Sequence, residues 1–262
     1  MLQAERAEKI LQFINEKGFV KTTELIELCK VSKPTIIRDL QVLEKEGAII
    51  RTHGGAKSVK KGTNFEPKQS LKEQIANESK KQIAKVAKQY IFPGETILLD
   101  SGTTTLMLAN ELKDMENITV ITNDIKVAMV LAENDGIELV VLGGQKRKGV
   151  YSLIGPITEM LTSQFHVDKV FLTADAIHIH KGITNSNIEE SSVKKAFIDI
   201  CKERFLLVDS SKFSSISFFK IADIFEVQTI ITDEGFLQLS DLESWNSFSK
   251  DIITAGKEEG GI

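Results

Sequence analysis

The residues with the plainest chemical purpose are hydrogen-bond donors set at helical spacing. In Val31-Ser32-Lys33-Pro34-Thr35-Ile36-Ile37-Arg38-Asp39-Leu40, a helix starting at Lys33 puts Ile36, Leu40 and Leu43 on one face and Pro34, Arg38, Gln41 and Lys45 on the other. Ser32, Lys33, Thr35, Arg38 and Gln41 then carry the donors of an exposed face that can meet base edges and phosphates in a major groove, with Pro34 and Ile37 beside them. One helical turn further on, Ala48 to Arg51 reads as a short apolar strand entering the turn His53-Gly54-Gly55, followed by the basic segment Lys57 to Lys61. A hairpin there lays Arg51, His53 and Lys57 along phosphates, which position a protein without reading sequence. The plainer reading of the same residues is a small helical subdomain with a solvated polar face.

A second set follows short apolar segments further along. Asp100-Ser101-Gly102-Thr103-Thr104-Thr105 is a glycine turn opening a helix, whose free N–H groups and positive end suit a phosphate. Thr122-Asn123-Asp124 and Gly143-Gly144-Gln145-Lys146-Arg147-Lys148 stand in equivalent places, and Lys146 or Arg147 could supply counter-charge. Asp175, Gly182-Ile183-Thr184-Asn185, Glu190 with Lys194, and Asp209-Ser210-Ser211-Lys212-Phe213 add polar groups. Each has a structural alternative: Ser-Gly-Thr and Thr-Asn-Asp as helix caps, Gly143-Gly144 as a turn.

The elements needed to position these groups are also written in the chain. Ile10, Leu11 and Ile14 mark a first helix that Gly18 can end, and Leu25, Leu28 and Cys29 mark a second that Thr22 or Thr23 can cap. Ser32 is placed to cap the third helix and Gly47 to close it, which completes a helix-turn-helix followed by a wing. Residues 57 to 70 suit a linker, and a long helix is expected from Pro67 to Tyr90. Strands are expected at 96–100, 118–122, 138–142, 169–173, 204–209 and 229–232, with helices near 103–113, 124–133, 155–164 and 187–203. Such alternation predicts an α/β domain with a mostly parallel sheet flanked by helices, whose ligands sit outside the carboxyl ends of the strands. The expected division is a winged helix-turn-helix at 1–58, a linker at 59–72 and an α/β domain at 73–262.

Charge follows the same division. The 262 residues carry a net charge of −4, but residues 1–60 hold 11 Lys and Arg against 8 Asp and Glu, leaving the remainder acidic. Cys29 and Cys201 lack paired spacing, there is no basic-plus-apolar leader and no apolar run of about 18 residues, so a cytoplasmic chain with no membrane partner is expected. One recognition helix reads few base pairs, so a homodimer or homotetramer on two half-sites of double-stranded operator DNA is expected.

The run V-S-x-x-T-I-x-R-D-L, then L-E-x-x-G, then R-T-H-G-G-A resembles the amino-terminal domain of the DeoR family of bacterial transcriptional regulators. L-D-S-G-T-T-T, V-x-T-N, L-G-G-x-x-R, G-x-T and D-S-S-K-F are similar to that family's effector domain, in the same order. The resemblance extends from Glu5 to about Asp233. It implies a repressor of carbohydrate use, a sensor domain similar to ribose-5-phosphate isomerase, and a phosphorylated sugar as effector. By that resemblance, phosphate falls on Ser101, Gly102, Thr103 and Thr104, and sugar hydroxyls on Asp100, Asn123, Asp175 and Lys212. The chain departs from the family where Ile37 replaces a commonly polar or basic residue and where Ala176 replaces a glycine.

Other chemistries find little support. Asp175, Glu190 and Lys212 near a phosphate loop could suit an isomerase, but Lys181-Gly182-Ile183-Thr184 lacks that enzyme's glycine run, and no catalytic role is expected. His178 and His180 lack an evident third ligand for a metal, and neither GxGxxG after a strand nor GxxxxGK[ST] occurs, so no cofactor is expected.

Overall fold

A computed structural model of the chain describes residues 3–59, 63–64, 66, 69–75, 77–247 and 251–256. The chain forms two compact units, Met1–Asn77 and Glu78–Ile262.

The first unit runs α1 (Gln3–Lys17), β1 (Phe19–Lys21), α2 (Thr22–Cys29), α3 (Lys33–Lys45), β2 (Ile49–Thr52), β3 (Gly55–Ser58) and α4 (Gln69–Gln74). The apolar stripes of its helices converge: Ile10, Ile14, Leu25, Ile36, Leu40 and Leu43 pack with Val20 and Ala56 into one core. Gly18 ends α1 at φ +76°, returning its N–H to Ile14 O at 2.9 Å. At the end of α3, Gly47 turns at φ 71° while Ala48 N donates to Leu43 O at 2.9 Å and Gly47 N to Glu44 O at 2.8 Å, the two bonds of a Schellman closure. The wing is a three-stranded antiparallel sheet in the order β1-β3-β2, because Phe19–Lys21 pairs with the far side of β3.

Two helix starts differ from expectation. Ser32 occupies the N-cap position of α3, but its hydroxyl pairs with the Thr35 hydroxyl at 2.9 Å instead of capping a backbone N–H. Thr22 does not cap α2; its hydroxyl donates to Gly54 O at 3.1 Å and so ties the helix to the wing turn, while Glu24 accepts from Lys21 N at 2.8 Å.

The second unit continues through α5 (Asn77–Lys88), β4 (Thr96–Leu99), α6 (Thr103–Leu112), β5 (Ile118–Thr122), α7 (Ile125–Leu131), β6 (Ile137–Val141), β7 (Gln145–Lys146), β8 (Leu153–Ile154) and α8 (Pro156–Thr162). It ends with β9 (Val167–Leu172), β10 (Ala176–His178), β11 (Gly182–Asn185), α9 (Ile188–Asp199), β12 (Cys201–Leu207), β13 (Phe219–Ala222), β14 (Thr229–Asp233), α10 (Leu242–Asn246) and β15 (Asp251–Ala255). Seven strands form one sheet, ordered β15-β14-β12-β9-β4-β5-β6, with every pairing parallel. Alternation along the strands gives it two apolar faces. Leu98, Val170, Leu206 and Ile230 meet Val193, Phe197 and Trp245, whereas Ile97, Leu99, Phe171 and Leu207 meet Ile83, Leu108, Val127 and Leu131. A small antiparallel sheet β10-β11-β13 and the hairpin β7-β8 complete the unit.

The long helix expected from Pro67 to Tyr90 is two helices, α4 and α5; Pro67 lies outside the described residues, as do Lys60 and Lys61 of the basic segment. The helix expected through 203 stops at Asp199, because Cys201 already pairs with Val167 of β9 as the first residue of β12. Strands β1, β7, β8, β10, β11, β13 and β15 add to those expected.

Candidate nucleic-acid surface and sheet-edge site

The polar face of α3 is open: Ser32, Lys33, Pro34, Arg38 and Gln41 are exposed, with Thr35 and Ile37 half-buried beside them. Behind it, Asp39 is 2% exposed and bonded by Arg6 of α1 through Nε to Oδ2 at 2.5 Å and Nη2 to Oδ1 at 3.1 Å. Sequence reading missed this pair, although a carboxylate between Ile36 and Leu43 on an apolar stripe is the signal that would have found it. In the wing, His53 and Gly54 form the exposed turn and Lys57 is exposed. Arg51 is half-buried and reaches back to Glu44 of α3 at 3.5 Å, which couples wing to helix. Gly55 is buried, and a Cβ there would lie 2.0 Å from Val20 O, so strand pairing by itself requires glycine at this position.

At the carboxyl edge of the large sheet, Asp100 follows β4 and Asn123 follows β5, both fully buried. Asp100 Oδ2 accepts from Thr173 N at 2.9 Å, Thr173 Oγ1 at 2.8 Å and Lys194 Nζ of α9, which is itself 2% exposed. Asp100 Oδ1 and Asn123 Oδ1 are buried acceptors with no hydrogen-bond partner among the described residues, as is Ser152 Oγ. A buried acceptor without a donor is costly, so these atoms are placed to receive one. Gly102 is the N-cap of α6 and brings no side chain to the helix start; a Cβ there would lie 2.7 Å from Thr173 Oγ1. Ser101, Thr103 and Thr104 stand at this start and are nearly buried, with Ser101 Oγ donating to Asp124 Oδ2 at 2.5 Å. The Thr105 hydroxyl donates to Asp100 O at 2.6 Å and Gly102 O at 3.0 Å and so closes the start of its own helix.

The β7-β8 hairpin lies over the end of β5. Leu153 N donates to Asn123 O at 2.7 Å, Asn123 Nδ2 returns a bond to Leu153 O at 3.0 Å, and Ser152 bridges Asp124. From this hairpin Arg147 pairs with Glu190 of α9 at 2.7 Å. Glu190 also meets Asn185 Nδ2 at 3.4 Å, Asn185 Oδ1 accepts from Asp175 N at 3.0 Å, and Asp175 Oδ2 accepts from Ser186 N and Oγ at 3.0 and 2.6 Å. Arg147 and Asp175 are thereby joined in one network through Glu190, and Lys194, one turn further along α9, bonds Asp100. The sequence places Glu190 with Lys194 among the polar groups of this edge without assigning either a binding role. Gly144 has a structural reason: at φ +153° its Cβ would fall 2.1 Å from Thr158 Oγ1.

Lys212 ends the short turn Ser210–Lys212 after β12 and faces Asp209 electrostatically. Burial pushes the Asp209 carboxyl upward, but the charges of Lys212 and Lys80 and the bonds from Ser211 outweigh it and hold the group below its ordinary value. His178 accepts from His180 N through Nδ1 at 3.1 Å, and among the described residues no cluster of three or more metal-ligating side chains occurs. No helix among them is long and apolar enough to cross a membrane.

Two family models match these two parts of the chain: a DeoR-like helix-turn-helix domain over residues 6–62 and a DeoR C-terminal sensor domain over residues 75–234. The chain belongs to the DeoR family. A putative aga operon transcriptional repressor of Escherichia coli O157:H7 is 33% identical over 97% of this chain and 94% of its own length. A lactose phosphotransferase system repressor of Streptococcus mutans is 33% identical, covering 89% of this chain and 93% of that one. Among solved structures, ribose 5-phosphate isomerase A of Methanocaldococcus jannaschii aligns over 53% of this chain and 55% of that one, at 20% identity and a TM-score of 0.40. This DeoR-family chain thus has the make-up of a transcriptional regulator, with its helix-turn-helix and its sensor in separate compact units.

Proposed function

We propose that this DeoR-family protein is a cytoplasmic repressor of a carbohydrate-utilisation operon, binding double-stranded operator DNA as a homodimer or homotetramer under the control of a phosphorylated sugar. Its DNA contacts would come from Ser32, Lys33, Pro34, Thr35, Ile37, Arg38 and Gln41 of the α3 region, with Arg51, His53, Gly54 and Lys57 following phosphates. The observation carrying the effector reading is the pair of buried, partnerless acceptors Asp100 Oδ1 and Asn123 Oδ1 at the same sheet edge as the start of α6. Acceptors of that kind call for hydroxyl donors, and the helix start calls for an anion; a sugar phosphate supplies both. Ser101, Gly102, Thr103 and Thr104 would take the phosphate, Arg147 would exchange its Glu190 partner for negative charge, and Asp100, Asn123, Asp175 and Lys212 would meet hydroxyls.

The effector can change operator affinity only by binding one arrangement of the protein more tightly than another. The deciding experiment measures binding of purified protein to DNA upstream of its own and neighbouring genes, at fixed salt, with and without a panel of sugar phosphates. Specific binding altered by one compound is the expected result; absence of specific binding under every condition refutes the proposal.

A further inference from the structure

The turn that carries Lys212 and the beginning of α5 share one carboxylate. Asp233, the last residue of β14, accepts from Ser210 N at 2.6 Å through Oδ1. Its Oδ2 accepts from the Ser210 hydroxyl at 3.2 Å, the Ser79 hydroxyl at 3.2 Å and Gly235 N at 3.3 Å. Three donors crowd an oxygen with two lone pairs, so each holds it weakly and the loss of one favours the others. Gly235 lies close against this turn, since a Cβ on it would stand 2.3 Å from Ser210 Oγ. Lys80, the next residue of α5, is 4% exposed and acts electrostatically on Asp209, the residue preceding the same turn. Ser79 is the second residue beyond the division between the two units, so the backbone it anchors runs directly into the DNA-binding unit.

We propose that Asp233 is a coupling junction in which Ser79 and Ser210 compete for one carboxylate oxygen. Its grip on Ser79 sets the operator affinity of the ligand-free chain, and effector contact at Lys212 changes that grip by moving Ser210. Ser79 and Asp233 are positioning residues, neither of them among the proposed DNA or effector contacts. The inference rests on the operator-binding role and the Lys212 effector contact proposed above.

The test uses the full chain without effector, comparing operator and non-specific duplex affinities of wild type, Ser79→Ala, Ser79→Thr and Ser210→Ala, with thermal melting of each. Ser79→Ala should shift operator affinity by about fivefold, the lower range of allosteric couplings. Ser79→Thr should restore the wild-type value, and non-specific affinity should not move. Ser210→Ala should shift operator affinity in the opposite direction, because Ser79 then has less competition. Shifts in the same direction, or unchanged operator affinity in both alanine variants, would overturn the junction while leaving the repressor reading intact. A wild type that binds no operator would remove both. A variant with lowered melting temperature and equally weakened binding to every duplex would also overturn it, marking the residue as structural only.

Discussion

The guanidinium of Arg6 holds the carboxylate of Asp39 in a two-pronged bond that fixes α1 to the back of α3. Their side chains are 11% and 2% exposed, so the polar face of α3 is presented from a helix locked in roll as well as packed by Ile36, Leu40 and Leu43.

Removing one partner of this pair leaves an uncompensated buried charge. Arg6→Ala should destabilise the first unit by about 3 to 5 kcal/mol, whereas replacing both residues together, Arg6→Met with Asp39→Leu, should cost far less. Hydrogen exchange of the α1 and α3 amides would report it; equal loss of protection in the single and double variants would contradict the account.

Arg38 stands exposed on the opposite face. Arg38→Ala is expected to weaken operator binding by about 1 to 3 kcal/mol, with unaltered melting. Titration of operator DNA at fixed salt checks this, and an unchanged affinity would place Arg38 outside the interface.

At the sensor, Thr103→Glu puts a carboxylate at the start of α6, where a phosphate is proposed to sit. The variant should lose its response to the effector while keeping operator affinity, because the two functions occupy separate units. A normal response in a folded variant would move the phosphate elsewhere.

Burial raises the Cys201 thiol from 9.0 to about 11. The folded chain therefore keeps a proton that the unfolded chain releases, so Cys201 makes no contribution below the unfolded value and subtracts stability as pH rises between the two. Cys201→Ala should flatten the alkaline decline of unfolding free energy in denaturant titrations above about pH 9. The same decline in both proteins would show that Cys201 does not titrate in this way.

What was legible in the sequence was what depends on near neighbours. Ile36, Leu40 and Leu43 announce a helix because each turn repeats the pattern, and Gly47 ends it by a purely local geometry. The reason for Gly55 was hidden, since it lies in the carbonyl of Val20 on a strand too short to register as a pattern. The sheet-edge site divides along the same line. Ser101 to Thr104 could be read from their turn, and Glu190 with Lys194 could be seen one helical turn apart. Their partners Arg147 and Asp100 lie 43 and 94 positions away, and only the parallel sheet brings them together.

Strand order also governs how the molecule is made. In the wing, Phe19 finds Lys57 and Ile50 finds the same residue, so every pairing closes within a short span of chain. In the sensor, Ile97 of the central β4 must wait for Lys169, and β14 for Asp251. Domains fold as units during synthesis, and local contacts form sooner than distant ones. A chain arrested on the ribosome near residue 150 should therefore already protect its first unit from protease, with β4 still open to cleavage. Each new molecule would acquire its hold on DNA before it acquires the ability to be informed.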